Sequence, residues 1–290
     1  NSYNVGLGYF TGANITTGLQ NTFIGSLAGD AITDADRNVA VGYQSLTTDD
    51  LGSRSIAVGA GAVFSQNYAT ATNSHNIGIG DLSLFYNVTG VNNTFVGSAA
   101  GLGVSGNSHS NNTGIGYAAG TAITTGTENT LLGSQAGDAL TQGVRNTALG
   151  RVALSTDTLG QYSVAVGYAA LFAQNQTTSV NTYNVAVGYN AGAAITTGIN
   201  NILIGGLSGD ALTDADFNTA IGQQALSADT LGSRSTAVGW GALQAQNFTT
   251  ATDAYNVAIG NLAGTAISTG QYNTLIGGIA GDALTTGTRN

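Results

Sequence analysis

The stretch Asn184-Val-Ala-Val-Gly-Tyr-Asn-Ala-Gly192 contains a frame that recurs along the whole chain. The frame consists of Asn or Ser, a β-branched residue, a variable residue, an aliphatic residue and Gly. It occurs 16 times. Its copies follow one another every ~17 to ~21 residues, and so short a period is typical of solenoids, in which each copy forms one coil. The frame glycines are Gly8, Gly25, Gly42, Gly59, Gly80, Gly97, Gly116, Gly133, Gly150, Gly167, Gly188, Gly205, Gly222, Gly239, Gly260 and Gly277.

The copies are grouped into a longer period. Three short spacings followed by one long spacing form a superrepeat of ~72 residues, as the distance from Gly116 to Gly188 and from Gly188 to Gly260 shows. A half-length block between Gly80 and Gly116, around residues 76–111, interrupts this order and looks like a superrepeat that has lost two copies. The pattern fills residues 1–290, so we predict one continuous repeat domain, and we expect it to be a fragment of a longer chain.

The frame itself predicts a short strand and a corner. A β-branched residue and an aliphatic residue two positions apart favour a strand, and we expect these two outer residues to share a buried face. The following glycine indicates a tight corner. Ala, Ser or Thr followed by Gly or Leu then predicts a second short strand. The Asn that opens 13 coils predicts a side-chain ladder, in which Ser55, Ser163 and Ser235 are the exceptions.

The repeated frame predicts an all-β parallel β-solenoid of 16 coils, and composition excludes several classes of protein. The chain has 44 glycines, no Pro, Cys or Met, and a net charge of −9, which disfavours nucleic acid as a partner. No apolar run is long enough to span a membrane. Each coil has few large side chains and encloses only a thin core, so we expect three chains to pack as a homotrimer.

Three segments carry a resemblance to a known family: residues 184–192, Asn218-Thr-Ala-Ile-Gly-Gln-Gln-Ala-Leu226 and Ser235-Thr-Ala-Val-Gly-Trp-Gly-Ala-Leu243. They resemble the head repeats of trimeric autotransporter adhesins and are similar to repeats of phage tail-fibre proteins. The resemblance implies a left-handed trimeric β-roll outside the cell, at a cell surface or on a virion. The coils here are longer than those of the adhesins, which predicts larger outer loops.

The predicted function is therefore an extracellular fibre or adhesin segment that attaches to a surface, with glycans or proteins as partners. The alternative is a purely structural shaft with recognition elsewhere. Insertions in a solenoid often mark the binding face, so the longer loops 65–72, 173–180 and 245–252 are the candidate contacts. The candidate receptor-contact residues are Gln66, Asn67, Tyr68, Gln174, Asn175, Trp240, Gln246, Asn247 and Phe248.

The sequence contains little that could support catalysis or hold a cofactor. His75 and His109 are the only histidines and Glu128 is the only glutamate, so we expect no enzyme and no cofactor. An ice-binding surface is disfavoured because Thr-Thr-Gly occurs about once per superrepeat rather than in every coil. Two Asp-Ala-Asp pairs are weak calcium candidates, with turn formation and pairing to arginine as the alternative. These aspartates are Asp34, Asp36, Asp214 and Asp216.

Overall fold

The structure, a computed structural model, describes residues 2–290 and confirms a parallel β-solenoid of about 16 turns. The chain divides into two units, Asn1–Val144 and Arg145–Asn290, and each is described by itself. Each unit contributes eight three-residue strands that form its main parallel ladder. Among residues 2–290, no helix has the length and hydropathy of a membrane span.

In the first unit, the main ladder is accompanied by one small two-stranded sheet formed by β4 and β6. The strands are β1 Val5–Leu7, β2 Thr22–Ile24, β3 Val39–Val41, β4 Gly52–Ser53, β5 Ile56–Val58, β6 Thr72–Asn73, β7 Ile77–Ile79, β8 Thr94–Val96, β9 Thr113–Ile115 and β10 Thr130–Leu132.

In the second unit, two such small sheets occur, β12 with β14 and β18 with β20. The strands are β11 Thr147–Leu149, β12 Gly160–Gln161, β13 Val164–Val166, β14 Val180–Asn181, β15 Val185–Val187, β16 Ile202–Ile204, β17 Thr219–Ile221, β18 Gly232–Ser233, β19 Thr236–Val238, β20 Thr252–Asp253, β21 Val257–Ile259 and β22 Thr274–Ile276.

Equivalent residues of successive turns lie beside one another. In the ladder between β3 and β5, Val39 pairs with Ile56 and Ala40 pairs with Ala57, and the other ladder pairs within each unit keep the same register. The repeated frame is therefore converted directly into columns of equivalent side chains that run from turn to turn.

The side of the strand that faces the core is opposite to our expectation. From β2 to β21, the middle residue of each three-residue strand is buried, as Phe23 and Ala40 show with 1% and 0% exposure. The outer residues are half-buried or exposed, for example Ile24 at 38% and Ile204 at 37%. One turn is so narrow that each strand supplies one side chain to the core, and the β-branched pair is left on the outer face.

The core is filled by complementary volumes within each turn. Where the middle strand residue is Phe or Leu, the residue six positions later is glycine: a Cβ at Gly29 would lie 2.8 Å from the Phe23 ring, and one at Gly137 would lie 2.8 Å from Leu131. After a middle alanine, a buried leucine fills the space in several turns, as Leu46 does after Ala40. Gly192 instead follows Ala186, and there Leu203 of the next turn takes the space. Glycine at this position thus makes room for a large strand residue of the same turn or of the next one.

The predicted asparagine ladder and the glycine corner are both present. The Asn38 main-chain N–H donates to the Asn21 side-chain oxygen at 2.9 Å, and the Asn38 amide donates to the Gly52 carbonyl at 2.9 Å. At the corner, Gly42 has a φ of +135°, and a Cβ there would lie 2.4 Å from the Gly59 carbonyl oxygen. Successive corners are therefore too close for any larger residue.

The second predicted strand after the glycine is not formed. The chain makes a turn there, in which the Ala28 N–H donates to the Gly25 carbonyl at 3.3 Å. Residues of this segment have a left-handed backbone conformation at two positions. Leu27, two residues after its frame glycine, has a φ of +60°, and Leu46, four residues after its frame glycine, has a φ of +52°. A left-handed residue reverses the backbone direction, so a continuous extended segment cannot form.

Candidate functional site

The longer loops carry a buried amide network. In the loop of residues 65–72, the Gln66 side-chain NH₂ donates to Asp49 Oδ2 at 2.5 Å and to Ser55 Oγ at 2.8 Å. Its carbonyl oxygen accepts a hydrogen bond from Asn76 Nδ2 at 2.8 Å. All four side chains are fully buried. Desolvation by burial raises the pKa of Asp49, and the hydrogen bonds that its carboxylate accepts act against this rise.

This network explains why serine replaces asparagine at three coil openings. Ser55 is too short to reach its neighbours along the ladder, and Gln66 supplies the missing amide from the loop. The same arrangement recurs twice in the second unit, where the glutamines donate to an aspartate at 2.5 and 2.6 Å. Its members there are Asp157, Ser163, Gln174 and Asn184 in one copy and Asp229, Ser235, Gln246 and Asn256 in the other.

The two loop aromatics are also buried. Tyr68 and Phe248 are each 5% exposed, and the Tyr68 hydroxyl donates to the Gly90 carbonyl at 2.7 Å. Burial raises the pKa of this phenol above its ordinary value, with the nearby Asp49 adding to the rise. The prediction that these rings are exposed contacts is therefore wrong, because each loop folds inward to complete its turn. The same correction applies to Gln66, Gln174 and Gln246.

Four of the predicted contact residues do lie at the surface. Asn67, Asn175 and Asn247 are exposed at the equivalent place of the three loops. In the second unit, the side-chain oxygens of Asn175 and Asn247 each accept a hydrogen bond from a threonine hydroxyl at 3.1 Å. Trp240 is 46% exposed and follows its frame glycine. In the second unit, Trp240, Asn175 and Asn247 do not line the surface groove at Phe172 and Ala193.

The calcium candidates act as hydrogen-bond acceptors. Asp34 and Asp214 each accept from a threonine hydroxyl of the preceding turn. Asp36 and Asp216 each accept a main-chain N–H at 2.7 Å. Within residues 2–290, no three acidic or histidine side chains converge to form a metal site. These hydrogen bonds join successive turns of the solenoid, so the four carboxylates link neighbouring coils.

Aromatic and arginine side chains form two columns in the second unit, one on each side of the strands. Before the strands, Tyr162 and Tyr183 stack with ring centroids 5.4 Å apart, and Arg234 lies 4.7 Å from the Phe217 ring. After the frame glycines, the rings at the equivalent positions of two successive turns stack at 5.5 Å. Of the candidate contact residues, Trp240 alone occupies such a position. The columns have a sequence signal, which is the repeated occurrence of aromatic residues or Arg at these two frame positions.

One buried histidine stands out in the first unit. His109 is 2% exposed, its ring meets Phe95 edge-on at 5.6 Å, and its Nδ1 lies 3.3 Å from Asn93 Oδ1. Its Nε2 has no hydrogen-bond partner. Desolvation lowers the pKa of His109 to about 4, so the ring is neutral at pH 7. With no acidic or nucleophilic neighbour among these contacts, the ring has the surroundings of a core residue rather than of a catalytic base.

Comparison with known proteins adds no relative to these observations: no family model, no curated protein and no solved structure matches the chain.

Proposed function

We propose that this chain is a segment of an extracellular homotrimeric fibre, in which the left-handed β-roll of the resemblance serves mainly as a structural shaft. One observation carries the proposal. The residue before the frame glycine is Leu, Ile or Val in every turn, and in both units it lies on the outer face of the main ladder. We call this row the aliphatic column.

The aliphatic column leaves apolar surface open to water in the single chain. With eight strands spaced by about 4.8 Å, it runs for about 34 Å within each unit. Contiguous apolar strips of this kind mark interaction surfaces more often than free ones. The members with an exposed fraction above a third are Leu7, Ile24, Ile79, Ile115 and Leu132 in the first unit and Ile204, Ile221, Ile259 and Ile276 in the second.

A second copy of the chain is the simplest cover for a repeating strip. The residues of the strip are spaced by the height of one turn. Another copy of the chain has the same spacing, whereas an unrelated partner would need to match it. Three copies close around one axis and leave no strip open, in agreement with the resemblance to trimeric adhesins. The burial of the loop glutamines and aromatics also favours the shaft, since it turns the expected contact loops into structural parts.

The assembly is tested by placing charge on the aliphatic column. Light scattering on the unmodified chain is expected to give three times the mass of one chain. Ile204→Asp with Ile221→Asp is expected to reduce this to one chain mass, because a trimer would bury six carboxylates without partners. Thr249→Asp, on an exposed loop residue, is the matched control and should leave the trimer intact. A single-chain mass for the folded, unmodified protein contradicts the proposal.

Surface attachment is the second candidate function, and the exposed residues favour it. Asn67, Asn175 and Asn247 recur at one place of the loops, and in a trimer each would occur three times. Many weak sites of this kind act through avidity on a repetitive glycan surface. Replacing the three asparagines and Trp240 by alanine, while the buried glutamines stay, separates attachment from folding. Unchanged retention on immobilised glycans that bind the parent chain would exclude these residues as contacts.

A further inference from the structure

An open groove lies on the surface of the second unit between the turns that contain β13 and β15. Its volume is about 310 Å³, at the small end of the range for ligand sites. Its walls are Val152, Tyr168, Phe172, Tyr189, Asn190 and Ala193. Phe172 and Tyr189 are 40% and 57% exposed, so the groove presents aromatic surface to solvent.

The equivalent turns of the first unit show why this groove is open. Counted from the frame glycines, Phe172 and Ala193 correspond to Phe64 and Phe85. There the two rings stack face to face, with centroids 4.6 Å apart and planes within 8°. In the second unit, Ala193 has no ring to stack on Phe172. The face of Phe172 that corresponds to the covered face of Phe64 is therefore open. A ligand ring can lie where Phe85 lies.

Arg151 directly precedes the wall residue Val152, and two tyrosines of the wall carry hydroxyls that can form hydrogen bonds. Tyr168 and Tyr189 stack at 5.5 Å, and the Arg151 guanidinium lies over the Tyr168 ring at 5.8 Å. Arg151 is the one arginine of six that does not precede a coil opening, so its place is not explained by the repeat. On a chain of net charge −9, an exposed arginine beside an aromatic groove is a local exception that attracts an anion.

We infer that this groove binds one carboxylated pyranose residue of an acidic polysaccharide. The apolar face of the sugar ring packs on Phe172, its hydroxyls reach the Asn190 amide and the tyrosine hydroxyls, and its carboxylate pairs with Arg151. The inference rests on the attachment role proposed above and names the class of glycan for it. The site is distinct from the loop asparagines.

The test uses the full chain and two matched probes, methyl β-glucuronide and methyl β-glucoside, which differ in the carboxylate. Saturation-transfer NMR titrations at low salt should show glucuronide binding about fivefold tighter than glucoside, as one exposed ion pair of about 1 kcal/mol gives. Arg151→Gln, which copies Gln223 of the next superrepeat, should remove this preference and leave glucoside binding unchanged.

Filling the groove is the second arm. Ala193→Phe recreates the stacked pair of Phe64 and Phe85 and is expected to weaken glucuronide binding at least tenfold while the chain stays folded. Phe172→Gln, which copies Gln244, should do the same if Ala193→Phe fails to fold. Tyr117→Gln, an exposed tyrosine of the first unit, is the control and should bind as the parent does.

The results separate this inference from the proposed fibre, because light scattering is recorded on the same samples. Glucoside bound as tightly as glucuronide, or binding unaffected by a filled groove, would overturn the inference. A trimer that binds neither probe would overturn it too and would leave the fibre proposal standing. Selective glucuronide binding that Ala193→Phe abolishes would support it.

Discussion

At the scale of single residues, the corner glycines set the strictest condition on the sequence. Gly222 has a φ of +133°, and a Cβ there would lie 2.4 Å from the Gly239 carbonyl oxygen. The neighbouring corner is backbone and cannot turn aside. Both the backbone conformation and the stacking of turns therefore require glycine at this position.

We predict that Gly222→Ala lowers the free energy of unfolding by at least about 2 kcal/mol, because left-handed strain and a main-chain clash act together. Gly278→Ala is the control, since a Cβ there would meet nothing within 4 Å, and it should change the value by less than about 0.5 kcal/mol. Urea titration followed by circular dichroism measures both. Equal values for the two variants would show that successive corners are not in contact.

The buried His109 makes stability depend on pH. Its folded pKa of about 4 lies below its ordinary 6.5, so the unfolded chain binds the proton more readily in this interval. The contribution of the neutral ring is complete above pH 6.5 and is lost as the pH falls towards 4. The loss approaches about 3 kcal/mol at its limit.

We predict that the free energy of unfolding falls between pH 7 and pH 4.5 and that His109→Phe reduces this fall by about 2 kcal/mol. The phenyl ring keeps the contact with Phe95 and cannot titrate. Carboxyl groups titrate in both proteins and cancel in the comparison. The measurement is denaturant unfolding at the two pH values, and identical pH dependence in both proteins would show that His109 is not buried when neutral.

At the scale of elements, each longer loop completes the asparagine ladder of the turn from which it leaves. Gln246 donates to Asp229 Oδ2 at 2.6 Å and to Ser235 Oγ at 3.0 Å, and it accepts from Asn256 at 2.8 Å. Truncation would leave a buried carboxylate and a buried amide without partners. Such groups cost more than the hydrogen bonds themselves.

We predict that Gln246→Ala destabilises the chain by about 3 kcal/mol and that the adjacent exposed Asn247→Ala costs less than about 1 kcal/mol. Both variants shorten an amide side chain in the same loop, so the difference isolates burial. Thermal unfolding is the readout. Similar effects of the two substitutions would mean that the loop glutamine is not part of the core.

The repeat predicts much of this architecture, because sixteen copies of one frame determine the turn length, the strand and the glycine corner. It fails on the direction of the strand. A β-branched pair such as Val39 and Val41 indicates extended backbone but not which face is buried, and only the narrow interior decides that. The inward middle residue has one signal in the sequence, since Phe23 and Leu131 occur where a glycine follows in the same turn.

The loop network also leaves a signal in the sequence, although its meaning needs the structure. Ser55, Ser163 and Ser235 open the three coils that carry the long loops, and each is followed eleven residues later by glutamine. This coincidence links the missing asparagine to the added residues. The groove at Phe172 and Ala193 could not be found in this way, because it depends on the space that a smaller side chain leaves open.

At the scale of the whole molecule, the core of each unit is packed and hydrogen-bonded within that unit, whereas its outer face leaves apolar side chains in contact with water. The strand interiors and the polar ladder are buried, whereas the aliphatic column keeps a third or more of many side chains in water. Within a unit, every turn contributes one aliphatic residue to this face. Each folded unit therefore carries an apolar cost that the proposed association would remove.

We predict that the midpoint of thermal unfolding rises with protein concentration, as it does when folding and assembly are coupled. A hundredfold increase in concentration should raise the midpoint by several degrees for the unmodified chain, because unfolding of the proposed trimer would release three chains from one particle. The chain with Ile204→Asp and Ile221→Asp should show a constant and lower midpoint. Since charge on an outward position leaves the core of each turn unchanged, a variant that still folds but has lost its concentration dependence would locate the assembly energy in the aliphatic column. A midpoint independent of concentration in the unmodified chain would instead show that each chain is stable alone and that the exposed face has another role.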